Sequence, residues 1–168
     1  MAFVTSSVLG ASLTSSNSTA LFALNQIVHG SDDSEWQYII ATGTITTGRL
    51  VTIGAEGTAI VATTANLINP GAGVGYAAGV TQFQLLQGEY GFVAKRGQNM
   101  ILACTGTVAP GNVLYLANEV GVIATAATSA TLAGIYITTS ASTATLSTMA
   151  RAILSYPRCV NVSATPLG

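Results

Sequence analysis

The sequence predicts an all-β protein, a small barrel or sandwich built from two similar halves and preceded by an extended N-terminal arm. Three observations predict it. From Trp36 onward, short runs rich in β-branched and aromatic residues recur, each bounded by a glycine-containing turn. A seven-residue motif then returns without a gap, Thr42 to Gly48 matching Thr105 to Gly111 at a constant offset of 63 positions. The first thirty-odd residues, finally, are small and polar with isolated hydrophobics, a texture that builds no core of its own but can order against a partner.

Taken in order, residues 1–34 form the arm. Serines and threonines dominate it, and Leu9, Leu13, Leu21 and Phe22 are dotted through; Leu21 to Val28 has a weak helical period but is short and poorly capped. Residues 35–156 form the β domain. Its strands are Trp36 to Thr42, Arg49 to Ile53, Thr58 to Ala62, Gly88 to Val93, Val113 to Leu116, Val122 to Ala124 and Leu132 to Ile137. Leu146, Met149, Ala150 and Ile153 fit a helical face, but the surrounding Thr and Ser favour a strand over about 149–156. Residues 157–168 are a tail. Because the pattern begins near Trp36, removing about 28 residues is expected to leave a folded domain.

The repeat spans about residues 36–82 and 99–139. The offset of 63 holds to Glu56 and Glu119; one more residue then enters the second copy, and Ala78-Gly79-Val80 resembles Ala133-Gly134-Ile135. Each copy reads as strand, tight turn, strand, acidic turn, strand. Two copies do not make a solenoid, which needs at least three, but they can close on each other and remove exposed sheet edges. Gly48 and Gly111 follow two-residue turn segments, where a positive φ or a close approach is expected.

Composition narrows the function. Only 7% of the 168 residues are charged, against about 25% in an ordinary soluble domain. Sparse charge makes crowded copies prone to associate, so much of the surface is expected to be covered by other subunits. A net charge of −1 with five scattered basic residues lacks the electrostatic footprint of a nucleic-acid binder. Mean hydropathy is +0.56, yet no apolar run approaches the 18 residues of a spanning helix. The start lacks a secretory pattern, so the chain reads as made and assembled in a cytoplasm. Cys104 and Cys159 make no disulfide framework, and Cys104 lies in an apolar run as a small buried thiol.

Catalysis needs titratable groups in constellation, and this chain is poor in them. The single histidine, His29, sits near Asp32, Asp33 and Glu35, but no nucleophile elbow accompanies the many serines. Asp32, Asp33 and Glu35 supply carboxylate oxygens for Ca²⁺ without the alternating spacing and turn glycine of an EF-hand loop. Gly71-Ala72-Gly73-Val74-Gly75 has no Lys-Ser/Thr sequel and reads as an inter-strand loop. Glu56 and Glu119 read as solvated hairpin tips. The aromatics lack the basic neighbours of a nucleic-acid stacking platform and read as core or subunit contacts. The reading is therefore of a non-enzymatic chain with no cofactor and no metal.

Residues Gly48 to Thr58, Gly79-Val80-Thr81-Gln82 and Gly88 to Gly97, with Val108 to Tyr115, Gly121-Val122-Ile123 and Ala133-Gly134-Ile135, resemble the capsid decoration (cement) proteins of tailed bacteriophages. The resemblance is one of texture and motif order over about residues 36–156. It implies a compact β-barrel or β-tulip, often a homotrimer, bound outside the capsid at three-fold or quasi-three-fold positions. There it clamps neighbouring major capsid proteins, and its N-terminal arm pairs with a capsid strand. The residues expected to meet capsid or subunit are Leu9, Leu13, Leu21, Phe22, Trp36, Tyr115 and Tyr136. The competing expectation is a receptor- or glycan-binding β module of a head fibre or adhesin, using Trp36, Tyr38 and the Asp32-Asp33-Glu35 cluster.

Overall fold

A computed structural model describes residues 12–30, 32–63, 66, 77–117, 121–125, 131–141 and 148–160. Its named elements are ten strands: β1 (Ile27–His29), β2 (Glu35–Ala41), β3 (Leu50–Ile53), β4 (Thr58–Val61), β5 (Ala77–Val80), β6 (Tyr90–Cys104), β7 (Leu114–Leu116), β8 (Ile123–Ala124), β9 (Thr131–Thr139) and β10 (Thr148–Val160). The chain is all-β, as the strand texture requires.

The pairings close two five-stranded rings. In the first, β2, β4, β3, β5 and β6 follow one another and β6 returns to β2; in the second, β6, β10, β9, β7 and β8 follow and β8 returns to β6. The two rings share β6, whose N-terminal half pairs with β2 and β5 and whose C-terminal half pairs with β10 and β8. Closure removes the exposed edges that an open sheet of short strands would present.

The sequence repeat is a repeat of pairing. The parallel contact of Ala41 with Ala59 returns as Cys104 with Ile123, and the antiparallel contact of Thr52 with Ile60 returns as Tyr115 with Ala124. An isolated bridge between Ile45 and Leu85 returns as Val108 with Ala141. The interior repeats too. Ile39, Ala41, Ile45, Val51, Ile53, Ala59, Leu85 and Val93 form the core of the first ring. Their counterparts Leu102, Cys104, Val108, Leu114, Leu116, Ile123, Ala141 and Ala152 all lie in the larger cluster. Burial of these alternating positions supplies the main driving force, about 25 cal/mol for each Å² of apolar surface removed from water.

The copies diverge at β5 and β9. Gly79 stands opposite Val51, whereas Leu132 stands opposite the equivalent Leu114. The pairing offset there is 53 residues (132 − 79), two short of the offset that the Ala-Gly-Val and Ala-Gly-Ile motifs suggest.

The N-terminal segment differs from a free arm. Leu13 is 1% exposed within the larger core, Asn17 bridges Tyr90, and β1 pairs with β2. The Phe22 ring meets Tyr38 edge-on at 5.3 Å and Phe92 at 5.5 Å, while Tyr38 stacks on Tyr90 at 6.2 Å. Residues 12–30 thus roof the outer face of the first ring, because that face carries large aromatics that need cover. Leu21 to Val28 is a turn running into β1, not a helix. At the other end, β10 continues through Pro157 to Val160, past the 156 boundary, because β9 extends to meet it: Arg158, Cys159 and Val160 stand opposite Ala133, Leu132 and Thr131.

Gly48 and Gly111 have φ of 76° and 85°, as their turns demand. Gly121 ties the halves together: Leu50 N–H donates to its carbonyl at 3.0 Å and its own N–H donates to Ala62 O at 2.7 Å. With φ at 68°, a Cβ on Gly121 would stand 2.7 Å from Leu50 O, whereas a Cβ on Gly111 meets nothing within 4 Å. Gly121→Ala is expected to cost roughly 2–4 kcal/mol and Gly111→Ala only about 1–2 kcal/mol, the left-handed penalty alone, as read by denaturant unfolding. Removal of residues 1–28 is expected to lower the melting temperature steeply, since it strips Leu13 and Phe22 from the core at about 1.5–3 kcal/mol for a fully buried side chain of this kind.

Candidate functional site

The polar residues singled out in the sequence pair within the chain. Trp36 Nε1–H donates to Ser34 Oγ at 2.8 Å, and Ser34 Oγ–H donates to Asp32 Oδ1 at 2.5 Å. Asp33 forms an ion pair with Arg96, and Tyr156 O–H donates to Glu35 Oε2 at 2.9 Å. Asp32, Asp33 and Glu35 therefore act as the polar clasp of a turn, joining β2 to β6 and β10. Among the described residues no group of three His, Cys, Asp or Glu converges as metal ligands would. His29 is exposed on β1. Glu56 is exposed at its tip, and Glu119 and the Gly71–Gly75 loop lie outside the described residues.

Lys95 was not singled out in the sequence. Trp36 stands opposite Ala94 and Glu35 opposite Arg96, so Lys95 is the extra residue of a bulge on β6. Its side chain is buried, and that burial pushes the ammonium down to about 8, with the Glu35 charge opposing the shift. Burial likewise pushes the Cys104 thiol up to about 11; the buried Sγ–H points at Leu102 O, 3.5 Å away. An inert buried thiol is what the sequence predicts.

Of the seven residues expected at a partner surface, Leu13 and Trp36 are corrected: at 1% and 0% exposure they fill the chain's own core and offer no surface. Phe22 and Tyr115 are half-buried, and Leu9 lies outside the described residues. Leu21 and Tyr136 stand out at 56% and 60% exposure. Tyr136 has company that sequence reading missed. Ile153 stands directly opposite it across β9 and β10. Met149 is on the same outward alternation of β10, and Val113 shares a cleft with Tyr136. All three are exposed. The signal was the alternation itself: Met149, Arg151 and Ile153 point out while Ala150, Ala152 and Leu154 point in, because the interior of so narrow a ring leaves room there mostly for alanine.

This face is the candidate interaction surface. It is apolar and carries one cation, Arg151, whose Nη1–H donates to Asn99 O at 3.1 Å. Beside it a cleft of about 430 Å³ opens between the residues before β7 and strand β9. Such a face recognises apolar surface and backbone, not phosphate or a metal ion.

No known protein family matches the sequence, and no curated protein resembles it closely enough to report. Among solved structures, the head fibre gp8.5 N base of bacteriophage phi29 is similar at a TM-score of 0.46 and 11% identity, over 73% of this chain and 95% of that one. At that level the superposition is too loose to assign a function.

Lys95 supplies the test of this polar assignment. An ammonium depressed in the folded state binds fewer protons there than in the unfolded chain, so its destabilising effect is full below about pH 8 and fades as pH rises toward 10.5. Lys95→Met is expected to melt higher than the parent at pH 7. The gap should narrow between pH 8 and 10, followed by thermal unfolding of both proteins side by side.

Proposed function

We propose that this chain is a structural protein of a bacteriophage virion that binds the outside of the capsid and clamps neighbouring major capsid proteins. The observation that carries the reading is the exposed apolar face of Tyr136, Ile153, Met149 and Val113 on a doubly closed, nearly uncharged barrel. Each ring pairs its strands on both sides, which resists shear. A rigid body with an apolar face suits a bridge between shell subunits that internal genome pressure pushes apart. Several modest contacts to one lattice act together as a multivalent clamp, so each interface can be weak.

Self-association as a homotrimer at three-fold or quasi-three-fold positions belongs to the same proposal. The glycan-binding alternative relied on Trp36 and Tyr38, and both are buried, at 0% and 1% exposure. The carboxylates it would have used for a cation are engaged by Ser34, Arg96 and Tyr156.

Contacts made this way are screened little by salt, because the Debye length acts on charges and few are present. Occupancy on undecorated shells is expected to change less than about threefold between 50 mM and 500 mM salt, and Tyr136→Asp with Ile153→Asp is expected to abolish it. Decorated particles should rupture at a higher temperature than bare ones. Strong salt dependence would remove the contact mechanism, and equal rupture thresholds would remove the clamping role.

A further inference from the structure

We propose that the cleft beside β9 is a strand-receiving site, and that its occupant is the N-terminal segment, residues 3–9, of a second copy of this chain. The first ring shows what is missing from the second. There β3 and β5 pair from Ile53 with Ala77 to Leu50 with Val80, and the seam is drawn on by Thr81 N–H to Arg49 O at 3.1 Å and Gly48 N–H to Thr81 O at 2.7 Å. In the second ring β7 and β9 pair only at Tyr115 with Thr131 and Leu114 with Leu132, and the seam rejoins at the Val108–Ala141 bridge. Between these points lies the cleft of about 430 Å³, lined by residues 111–114 and 132–137.

The seam opens because β9 is longer than its counterpart and follows a different neighbour. Leu132 and Ala141 are nine positions apart, against six for Gly79 and Leu85. β9 meets β10 through two irregularities: Thr138 is an extra residue on β9, and Ser155 to Pro157 of β10 stand against the single Gly134, whose φ of 77° and tight packing under Ser155 O and Tyr156 O leave no room for a Cβ. β9 is thereby drawn away from β7. From Ala133 to Thr139, the edge of β9 toward β7 faces no strand among the described residues. A sheet edge of this kind binds an extended segment through main-chain hydrogen bonds, with side-chain fit giving specificity.

The occupant follows from the lining. Leu114, Leu132, Ile135 and Ile137 are buried apolar side chains at the cleft, with Val113 and Tyr136 exposed at its rim, so a charged segment would be desolvated there without a partner. The chain has no Asp, Glu, Lys or Arg before Asp32. Within that span Phe3-Val4-Thr5-Ser6-Ser7-Val8-Leu9 is free of Pro and Gly, carries β-branched residues, and matches the seven residues of the open edge in length. Gly10 follows as a pivot before Leu13, which is fixed in the core. Eleven extended residues reach about 36–40 Å, enough to cross to a neighbouring molecule. A second copy is the source because a neighbouring body brings surface to the cleft rim at Val113 along with the strand, while Tyr136, Ile153 and Met149 stay outward. This inference rests on the self-association within the proposed function, and its test concerns isolated copies of one chain.

The test uses the purified full-length protein. Light scattering is expected to show an oligomer at micromolar concentration. Val4→Asp with Val8→Asp in the segment, and separately Val113→Asp at the cleft rim, should each weaken association at least tenfold while leaving the melting temperature of the monomer unchanged. In a Cys159→Ser background, Thr5→Cys with Val113→Cys should give, under bismaleimide treatment, a covalent species containing two or more chains. A monomeric parent, undiminished association in either Asp variant, or a link formed only within one chain would each overturn the proposal.

Discussion

Strand β6 is the constraint on which the rest of the structure depends. Fifteen residues long, it is the one strand among the described residues that belongs to both rings. Its first half gives Gly91 and Val93 to the inside of the first ring, and its second half gives Leu102 and Cys104 to the inside of the second. Its faces serve different interiors: Val93 packs in the first ring's cluster, whereas Phe92, Ala94, Leu102 and Cys104 pack in the larger one. Two irregularities bend the strand between its halves. One is the bulge at Lys95, and the other lies where Gly97 and Met100 stand opposite Leu154 and Ala152, with Asn99 at a φ of 59°. A bulge adds a residue to one side of a ladder and bends the strand, which is what two rings sharing a wall require.

That shared wall explains the placement of polar groups. Lys95 is buried because the bulge leaves it no facing residue, and the nearby carboxylates of Glu35 and Asp33 are engaged by Tyr156 and Arg96 from the same junction. The clasp of Ser34, Asp32 and Trp36 closes the end of the first ring beside it. The polar cluster of Asp32, Asp33 and Glu35, read in sequence as neither an EF-hand loop nor a catalytic constellation, is thus the seam between two barrels.

The duplicated halves share a pairing scheme and differ where they meet the outside. The first ring is zipped along β3 and β5, and the arm roofs its aromatics. The second ring carries a longer β9, an open seam and an uncovered apolar face. Divergence is confined to one strand because the interior positions of the others are fixed by packing, and a strand that gains residues must bulge or part from one neighbour. Here it does both. With so few charges on the chain, the surface exposed in this way is apolar, and it points outward to other molecules.

Much was legible in the sequence. The strand class, the turn glycines at 48 and 111, the buried Cys104 and the two-fold repeat all follow from local chemistry: β-branched alternation, a positive φ that only glycine adopts easily, and a motif recurring at constant spacing. The repeat even placed the interior residues, since a fixed offset along a strand keeps the same face. What it left undecided was long-range. Nothing local in Leu13 or Trp36 tells a core side chain from one awaiting a partner; the difference lies in which surface folds back over them. The outward turn of Met149 and Ile153, and the parting of β7 from β9, depend on register between strands far apart in the chain. A shift of two residues in that register separates a closed seam from an open one, and only the tertiary pairing sets it.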